Sequence, residues 1–229
     1  MNWFMNRILL FICIAFCIFQ TATAQQMQKK TYTYLALGDS YTIGESLPLK
    51  DNFPNQTAHI LDAAGLSFQQ PEIIAKTGWT SGELQLAIAK NTLQERYDVV
   101  SLLVGVNNQY RGGDISEYAK EFEEILLLSI KLVGKNPARV FVLSIPDWGV
   151  TPFADGRDRK KISKEIDSFN LVNKELSTKW KVNYIDITPG SREVASSSSL
   201  VAADGLHPSA LEYNRWSIKL AAAIQQTFQ

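Results

Sequence analysis

A serine at the end of an apolar run, Ser40, and a histidine near the other end of this 229-residue chain, His207, form a pair that can do chemistry. A serine hydroxyl is a weak nucleophile at neutral pH until a base takes its proton, and an imidazole of unperturbed pKa about 6.5 suits that task. The chain has two histidines. His59 falls within a helical pattern with no partner motif beside it and reads as a surface or packing residue. His207 follows Asp204 by three residues, so a tight turn lets the carboxylate reach the ring Nδ1 and fix the tautomer that presents Nε2 to Ser40. Each piece also has a plain structural reading. Gly38-Asp39-Ser40 is an ordinary strand-to-helix turn if Ser40 is the N-cap, Asp-x-x-His-Pro suits a helix cap, and Asn107-Asn108 suits a turn.

Four blocks in order carry more weight than any one of them: Gly38-Asp39-Ser40, Lys76-Thr77-Gly78-Trp79-Thr80-Ser81, Gly105-Val106-Asn107-Asn108, and Asp204-Gly205-Leu206-His207-Pro208. Together they resemble the SGNH (or GDSL) hydrolase family. The resemblance implies Ser40, His207 and Asp204 as a triad, with an oxyanion hole made by the backbone N–H groups of Ser40 and Gly78 and the side-chain amide of Asn107. A residue without Cβ at 78 lets the backbone come close to substrate, and Asn107 offers two uncharged N–H donors. At position 108 the chain departs from the family's Gly-x-Asn-Asp, with Asn in place of Asp. The donor at 107 survives, and the hydrogen bonding that orients the loop must change, because an amide cannot replace every interaction of a carboxylate. Trp79, Asn108 and Trp148 are taken as substrate-contact candidates. Tyr41, Tyr110 and Phe153 also fall in or near loops at the same edge, where aromatics either line a pocket or pack the loops down.

These residues need a scaffold that delivers them to one place. Residues 32–37, 67–75, 97–104, 139–145 and 182–187 read as five strands, and 97–104, a near-continuous apolar run, suits a central position covered on both sides. Between them, helices are expected over 53–64, 82–96, 115–133 (capped by Asp114) and 161–180, with a last one over 209–228 carrying Pro208 in its first turn. Residues 40–52, with Gly44 and Pro48, suit an irregular loop over the site, and the serine-rich 191–199 a mobile surface loop. The mixed cluster Arg157-Asp158-Arg159-Lys160-Lys161, with Asp155 beside it, reads as a solvated helix start, the alternative being contact with an anionic substrate or surface. Strands alternating with helices imply an α/β fold, a single-domain three-layer α/β/α sandwich on a mostly parallel five-stranded sheet. The resemblance implies the flavodoxin-like order 2-1-3-4-5. There is no internal repeat and no second domain.

Arg7, the apolar residues 8–19 and Ala22-Thr23-Ala24 have the layout of a secretory signal peptide, and the apolar run is short for a membrane span of roughly 20 residues. Cleavage after Ala24 leaves residues 25–229 as the mature domain and removes both cysteines, Cys13 and Cys17. The mature chain then has no disulfide, thiolate nucleophile or cysteine metal site. No metal or other cofactor is expected, and the destination is periplasmic or secreted, without membrane insertion once the signal is gone. The 23 basic and 23 acidic residues balance, which argues against a nucleic-acid partner. There is no Gly-x-Ser-x-Gly elbow, Ser-x-x-Lys, Gly-x-Gly-x-x-Gly or Walker loop.

The expected function is an exported serine hydrolase that cleaves a small-molecule, lipid or carbohydrate carboxylic ester through an acyl-enzyme. The alternatives are a thioesterase or lysophospholipase using the same site, or a flavodoxin-like or carbohydrate-binding module without catalysis. A flavodoxin needs a phosphate-binding loop after its first strand, and Gly38-Asp39-Ser40-Tyr41-Thr42 is a meagre version of one.

Overall fold

The apolar run that leads to Ser40 divides at Thr33. In the structure, a computed structural model that describes residues 30–228, Thr31–Tyr32 (β1) and Tyr34–Gly38 (β2) are separate strands. Thr33 N–H and Oγ1–H both donate to Asp98 Oδ2, at 2.9 and 3.1 Å, so a distant carboxylate takes what a continuous ladder would use. The run 67–75 divides likewise, into Ser67–Phe68 (β3) and Glu72–Ala75 (β4), around Pro71, which has no N–H for a ladder. Val99–Leu103 (β5), Val140–Leu143 (β6) and Asn183–Ile185 (β7) complete the set. The expected signal segment and both cysteines lie outside the described residues.

The main sheet has the order β4-β2-β5-β6-β7 with every neighbour parallel; counted as five strands this is 2-1-3-4-5. β1 and β3 form a separate parallel pair. Register matters most for the site. Gly38 pairs with Ala75 on one side and Leu103 on the other, so β4, β2 and β5 end flush and release their loops from one edge. That edge, at the carboxyl ends of the strands, is where open α/β sheets place ligands. β2 and β5 are buried along their whole length, as strands covered on both faces must be.

The helices are Ser40–Ile43 (α1), Phe53–Ala63 (α2), Ser81–Lys90 (α3), Val106–Tyr110 (α4), Ile115–Leu132 (α5), Arg159–Trp180 (α6), Thr188–Ser191 (α7) and Ala210–Gln226 (α8). α2 packs on α8, while α5 packs between α3 and α6, giving the two outer layers of an α/β/α sandwich. Caps set the boundaries. Thr80 and Glu83 make a reciprocal capping box on α3, Asp114 accepts from Ser116 and Glu117 N–H at the start of α5, and Asp158 accepts from Lys161 N–H at the start of α6, each worth about 1 kcal/mol.

Several boundaries differ from the sequence expectation, each for a local reason. The helix expected over 82–96 stops at Lys90, because Asn91 turns extended and returns its side-chain amide to Ala87 O. Pro208 lies outside the last helix, bridged to Val201, and Ser209 caps it. The stretch 191–199 is wound into short helical turns, Arg192–Ser196 and Ser198–Leu200, with Leu200 buried. Residues 40–52 are likewise ordered, with α1 and a turn at Leu49–Asp51.

Candidate active site

Ser40 enters the site through a turn that only glycine permits. A Cβ on Gly38 would lie 2.3 Å from the Leu103 carbonyl oxygen and 2.0 Å from Thr42 Oγ1, so the last residue of β2 must be bare for α1 to fold back over the neighbouring strand. Asp39, not Ser40, caps α1: its Oδ1 accepts from Tyr41 N–H at 3.0 Å. This corrects the reading of Ser40 as a cap and leaves its hydroxyl for another partner. That partner is His207, with Nε2 2.9 Å from Ser40 Oγ. Ser40 and His207 are 5 % and 6 % exposed, so the pair is shielded from water while bordering a cleft.

His207 sits at the end of a tightly tied turn. Asp204 Oδ1 accepts from Leu206 N–H and His207 N–H at 2.9 and 3.0 Å, and its Oδ2 meets His207 Nδ1 at 2.6 Å. A contact the sequence did not suggest lies on the same oxygen: Ser46 Oγ–H donates to Asp204 Oδ2 at 2.6 Å. Ser46 stands in the loop that follows α1, with a left-handed φ of +67°, and so ties the loop after Ser40 to the carboxylate. Burial pushes the Asp204 carboxyl up, but the Ser46 hydroxyl, the Leu206 N–H and the His207 ring and N–H outweigh it and hold the group well below the usual carboxylate range. Asp204 is therefore an anion oriented at Nδ1. The edge of the Tyr41 ring against the imidazole, centroids 5.4 Å apart, closes another side.

The loops after β4 and β5 are joined to each other through Asn107 and Asn108. Asn107, on α4, lines the cleft and donates one Nδ2–H to Trp79 O at 2.9 Å, which leaves its second N–H. Gly78 holds a φ of +84°, a conformation that excludes most side chains, and its carbonyl accepts from Arg111 Nη2 at 2.5 Å. Asn108, taken from the sequence as a substrate contact, is instead buried and spent on the scaffold: Oδ1 accepts from Ser81 N–H at 2.9 Å and Nδ2 donates to Ser81 Oγ at 2.8 Å. Ser81 gives its own proton to Glu121 Oε2, so position 108 has to donate, and aspartate could not. The departure from the family's aspartate is thus matched by Glu121. Trp79 also serves through its backbone, while its ring packs on the core; neither Trp79 nor Asn108 lines the cleft.

Trp148 does line it. The cleft, about 170 Å³, is bounded by Ser40, Asn107 and His207 at its floor and by Tyr110, Trp148 and Phe153 along one wall. Trp148 Nε1–H donates to Gln109 Oε1, and Gln109 in turn donates to Glu165, both at 2.7 Å. Behind it Asp147, fully buried, pairs with Arg192 at 2.9 Å. The wall is fixed by buried polar contacts rather than by loop length.

Asp39 has a second property besides its cap. It is fully buried and its Oδ2 has no hydrogen-bond partner among the described residues. Burial, only partly offset by the nearby backbone N–H groups of Tyr41, Gly105 and Asp39 itself, pushes its carboxyl from 3.8 up to about 7. A raised folded-state pKa gives stability that is fully present below about 3.8 and lost as pH rises through 7, on the order of a few kcal/mol. Asp39→Asn keeps the acceptor for Tyr41 N–H and removes the charge. Its Tm is expected to exceed wild type by several degrees at pH 9, with the gap closing toward pH 4; a gap that widens on acidification would show that Asp39 is ionised in the native state.

A profile of the GDSL-like Lipase/Acylhydrolase family matches residues 36–215. Among solved structures, the fold is similar to Axe2, an acetylxylan esterase from Geobacillus stearothermophilus, at a TM-score of 0.67 and 18% identity over 86% of this chain and 96% of that one. It is similar to TesA at 0.66 and 17% identity, over 86% and 99%, and to the lipase/acylhydrolase from Enterococcus faecalis at 0.65 and 19% identity, over 86% and 96%. At these identities the likeness is one of fold. No curated protein matches the chain.

Proposed function

As the chain belongs to the GDSL-like lipase/acylhydrolase family and is a carboxylic ester hydrolase, we propose that Ser40, His207 and Asp204 are its catalytic triad and that its substrate is a short acyl ester met outside the cytoplasm. The observation that carries this reading is the continuous relay from Asp204 Oδ2 through the His207 ring to Ser40 Oγ, at 2.6 and 2.9 Å. His207 Nε2 takes the serine proton as Oγ attacks the ester carbonyl, and Asp204 holds the ring in the tautomer that makes this possible and offsets the charge it gains. The imidazolium then protonates the leaving alcohol. Water, deprotonated by the same nitrogen, cleaves the acyl-enzyme.

The oxyanion is assigned to three donors. Ser40 stands in the first turn of α1, where backbone N–H groups lack an intrahelical acceptor, Gly78 supplies a second N–H, and Asn107 supplies the amide hydrogen not held by Trp79 O. The aromatic wall suits an acetylated carbohydrate or another small acyl ester, the class named for the Geobacillus structure. Export rests on the leader over residues 1–24, with its basic start, apolar middle and small-residue end. Among the described residues no helix is long and apolar enough to cross a membrane.

Hydrolysis of p-nitrophenyl esters of graded chain length by the Asn107 variants tests the assignment. Asn107→Ala is expected to lower kcat by roughly 10²–10³-fold with little change in KM, as for a bond that strengthens in the transition state. Asn107→Asp is expected to be at least as harmful, because it nearly keeps the shape and sets a negative charge where negative charge develops. An Asn107→Asp protein that folds and hydrolyses esters at the wild-type rate would make Asn107 a turn residue and nothing more.

A further inference from the structure

The wall of the cleft ends in a cation. Arg157 lies just before the cap of α6, and its guanidinium carbon is 5.3 Å from the ring centroids of Tyr110 and Trp148 and 5.0 Å from that of Phe153. All three rings line the cleft that holds Ser40 and His207. Tyr110 and Trp148 meet edge to face at 5.4 Å, and Trp148 and Phe153 at 6.0 Å, so one guanidinium spans a joined aromatic surface. Nη2 donates to Tyr110 Oη at 3.3 Å. The acids that flank Arg157 in sequence are turned elsewhere: Asp155 pairs with Arg159, and Asp158 accepts the Lys161 N–H as a cap.

We propose that Arg157 makes this an enzyme for anionic esters, that is, short acyl esters with a carboxylate or phosphate group a few bonds beyond the scissile carbonyl. The proposal rests on the ester-hydrolase reading of the same cleft. A guanidinium presents five N–H donors in a fixed fork, and ring faces hold it by electrostatic attraction without consuming the fork. Most of its donors therefore remain for a ligand that reaches past these rings, where a carboxylate or phosphate can take two at once. The low-dielectric aromatic wall raises the value of that charge to an anion running along it. A cationic ligand is disfavoured, because the position that would hold it over the rings already carries a positive charge. The mixed cluster, which in sequence reads as a solvated helix start or as a contact for an anionic substrate or surface, divides in two. Arg159, Lys160 and Lys161 open α6, and Arg157 serves the cleft.

Paired esters in which a carboxylate takes the place of a methyl group supply the test, with hydrolysis followed by proton release. Monomethyl succinate against methyl butyrate places the anion on the acyl side, and O-acetylglycolate against ethyl acetate places it on the alcohol side. In at least one pair, the ratio of kcat/KM for the anionic ester to that for the neutral one is expected to fall about five- to tenfold in Arg157→Met, which keeps an apolar stem over the rings. The responding pair tells which part of the substrate carries the charge. The wild-type ratio is expected to fall as salt is raised and the Met variant's ratio to stay flat, a response that a merely structural stack would not produce. Ratios in Arg157→Met within twofold of wild type in both pairs would overturn the proposal. Binding of the amide counterparts, N-acetylglycine against N-ethylacetamide and N-methylsuccinamate against N-methylbutyramide, followed by tryptophan fluorescence, separates it from the hydrolase reading. A chain that hydrolyses none of the esters still answers here. Tighter binding of an anionic amide that is lost in Arg157→Met supports the proposal, and equal binding within both amide pairs, wild type and variant alike, removes it.

Discussion

Ser40→Ala is expected to lower kcat by roughly 10⁶-fold, His207→Ala by a similar factor, and the double variant by no more than either alone. The reason is the 2.9 Å contact between Oγ and Nε2. A base without its nucleophile has nothing to activate, and a hydroxyl without its base keeps its proton, so the two residues form one device and their losses do not add. What survives in each variant is the contribution of the oxyanion donors and of binding, expected as a common floor of roughly 10³-fold over water. A fluorophosphonate, which reports the activated hydroxyl directly, is expected to label the wild type and to leave Ser40→Ala untouched. Losses that multiply in the double variant would mean that the two residues act independently, and undiminished labelling of Ser40→Ala would move the nucleophile elsewhere. Unfolding midpoints serve as the control, since Ser40 and His207 are both nearly buried.

Most features written in local sequence are legible there, and several that depend on a distant partner are not. The helix with Asp114 as its cap begins where its side chain bonds the first N–H groups, and the cap and the apolar spacing of Tyr118, Phe122, Ile125 and Leu126 lie within a few turns. The apolar run of β5 names its own place in the middle of the sheet. Nothing around Thr33 announces a break, because the break is made by Asp98, 65 residues away. The overlong helix after Thr80 failed for a different reason. Leu93 continued the apolar pattern beyond Lys90, but the Asn91 side chain satisfies the carbonyl of Ala87 and ends the helix there.

The site divides along the same line. Asp204 and His207 share a turn, so their contact follows from a spacing of three. Ser46 reaches the same carboxylate across 158 residues and from a left-handed backbone, and a serine in a loop gives no sign of either. Asn108 shows how a motif can mislead. Its neighbour in sequence faces the cleft, and on the short helix α4 one step of about 100° turns the next side chain away, toward Ser81. Trp79 enters the site through its carbonyl, which any residue at that position would have presented. Arg157 lay in a cluster whose charge pattern was visible, while its stacking on three rings required Tyr110, Trp148 and Phe153 to be brought together from separate loops.

Asp204→Asn is expected to lower kcat by about 10⁴-fold with the fold intact, and the structure gives a specific reason. Oδ1 accepts two backbone N–H groups, from Leu206 and His207, so an amide at this position must keep its oxygen there and turn its nitrogen toward the place now held by Oδ2. That nitrogen then points its hydrogens at Nδ1 and at the Ser46 hydroxyl, both of which donate to Oδ2 in the wild type. Ser46 can rotate its hydrogen away and accept. The imidazole can only respond by moving its proton to Nε2, which makes the nitrogen facing Ser40 a donor and removes the base. Stability separates this from unfolding. The depressed carboxyl pKa of Asp204 gives stability that is present above the usual carboxylate value and lost as pH falls through the folded value. The Tm deficit of Asp204→Asn should therefore be largest near neutrality and shrink on acidification, modestly in size because the carboxylate is partly exposed. At neutral pH the variant should still unfold cooperatively while turning over almost no ester. An Asp204→Asn enzyme with near-normal kcat would mean that the Nδ1 proton is held by something other than this carboxylate.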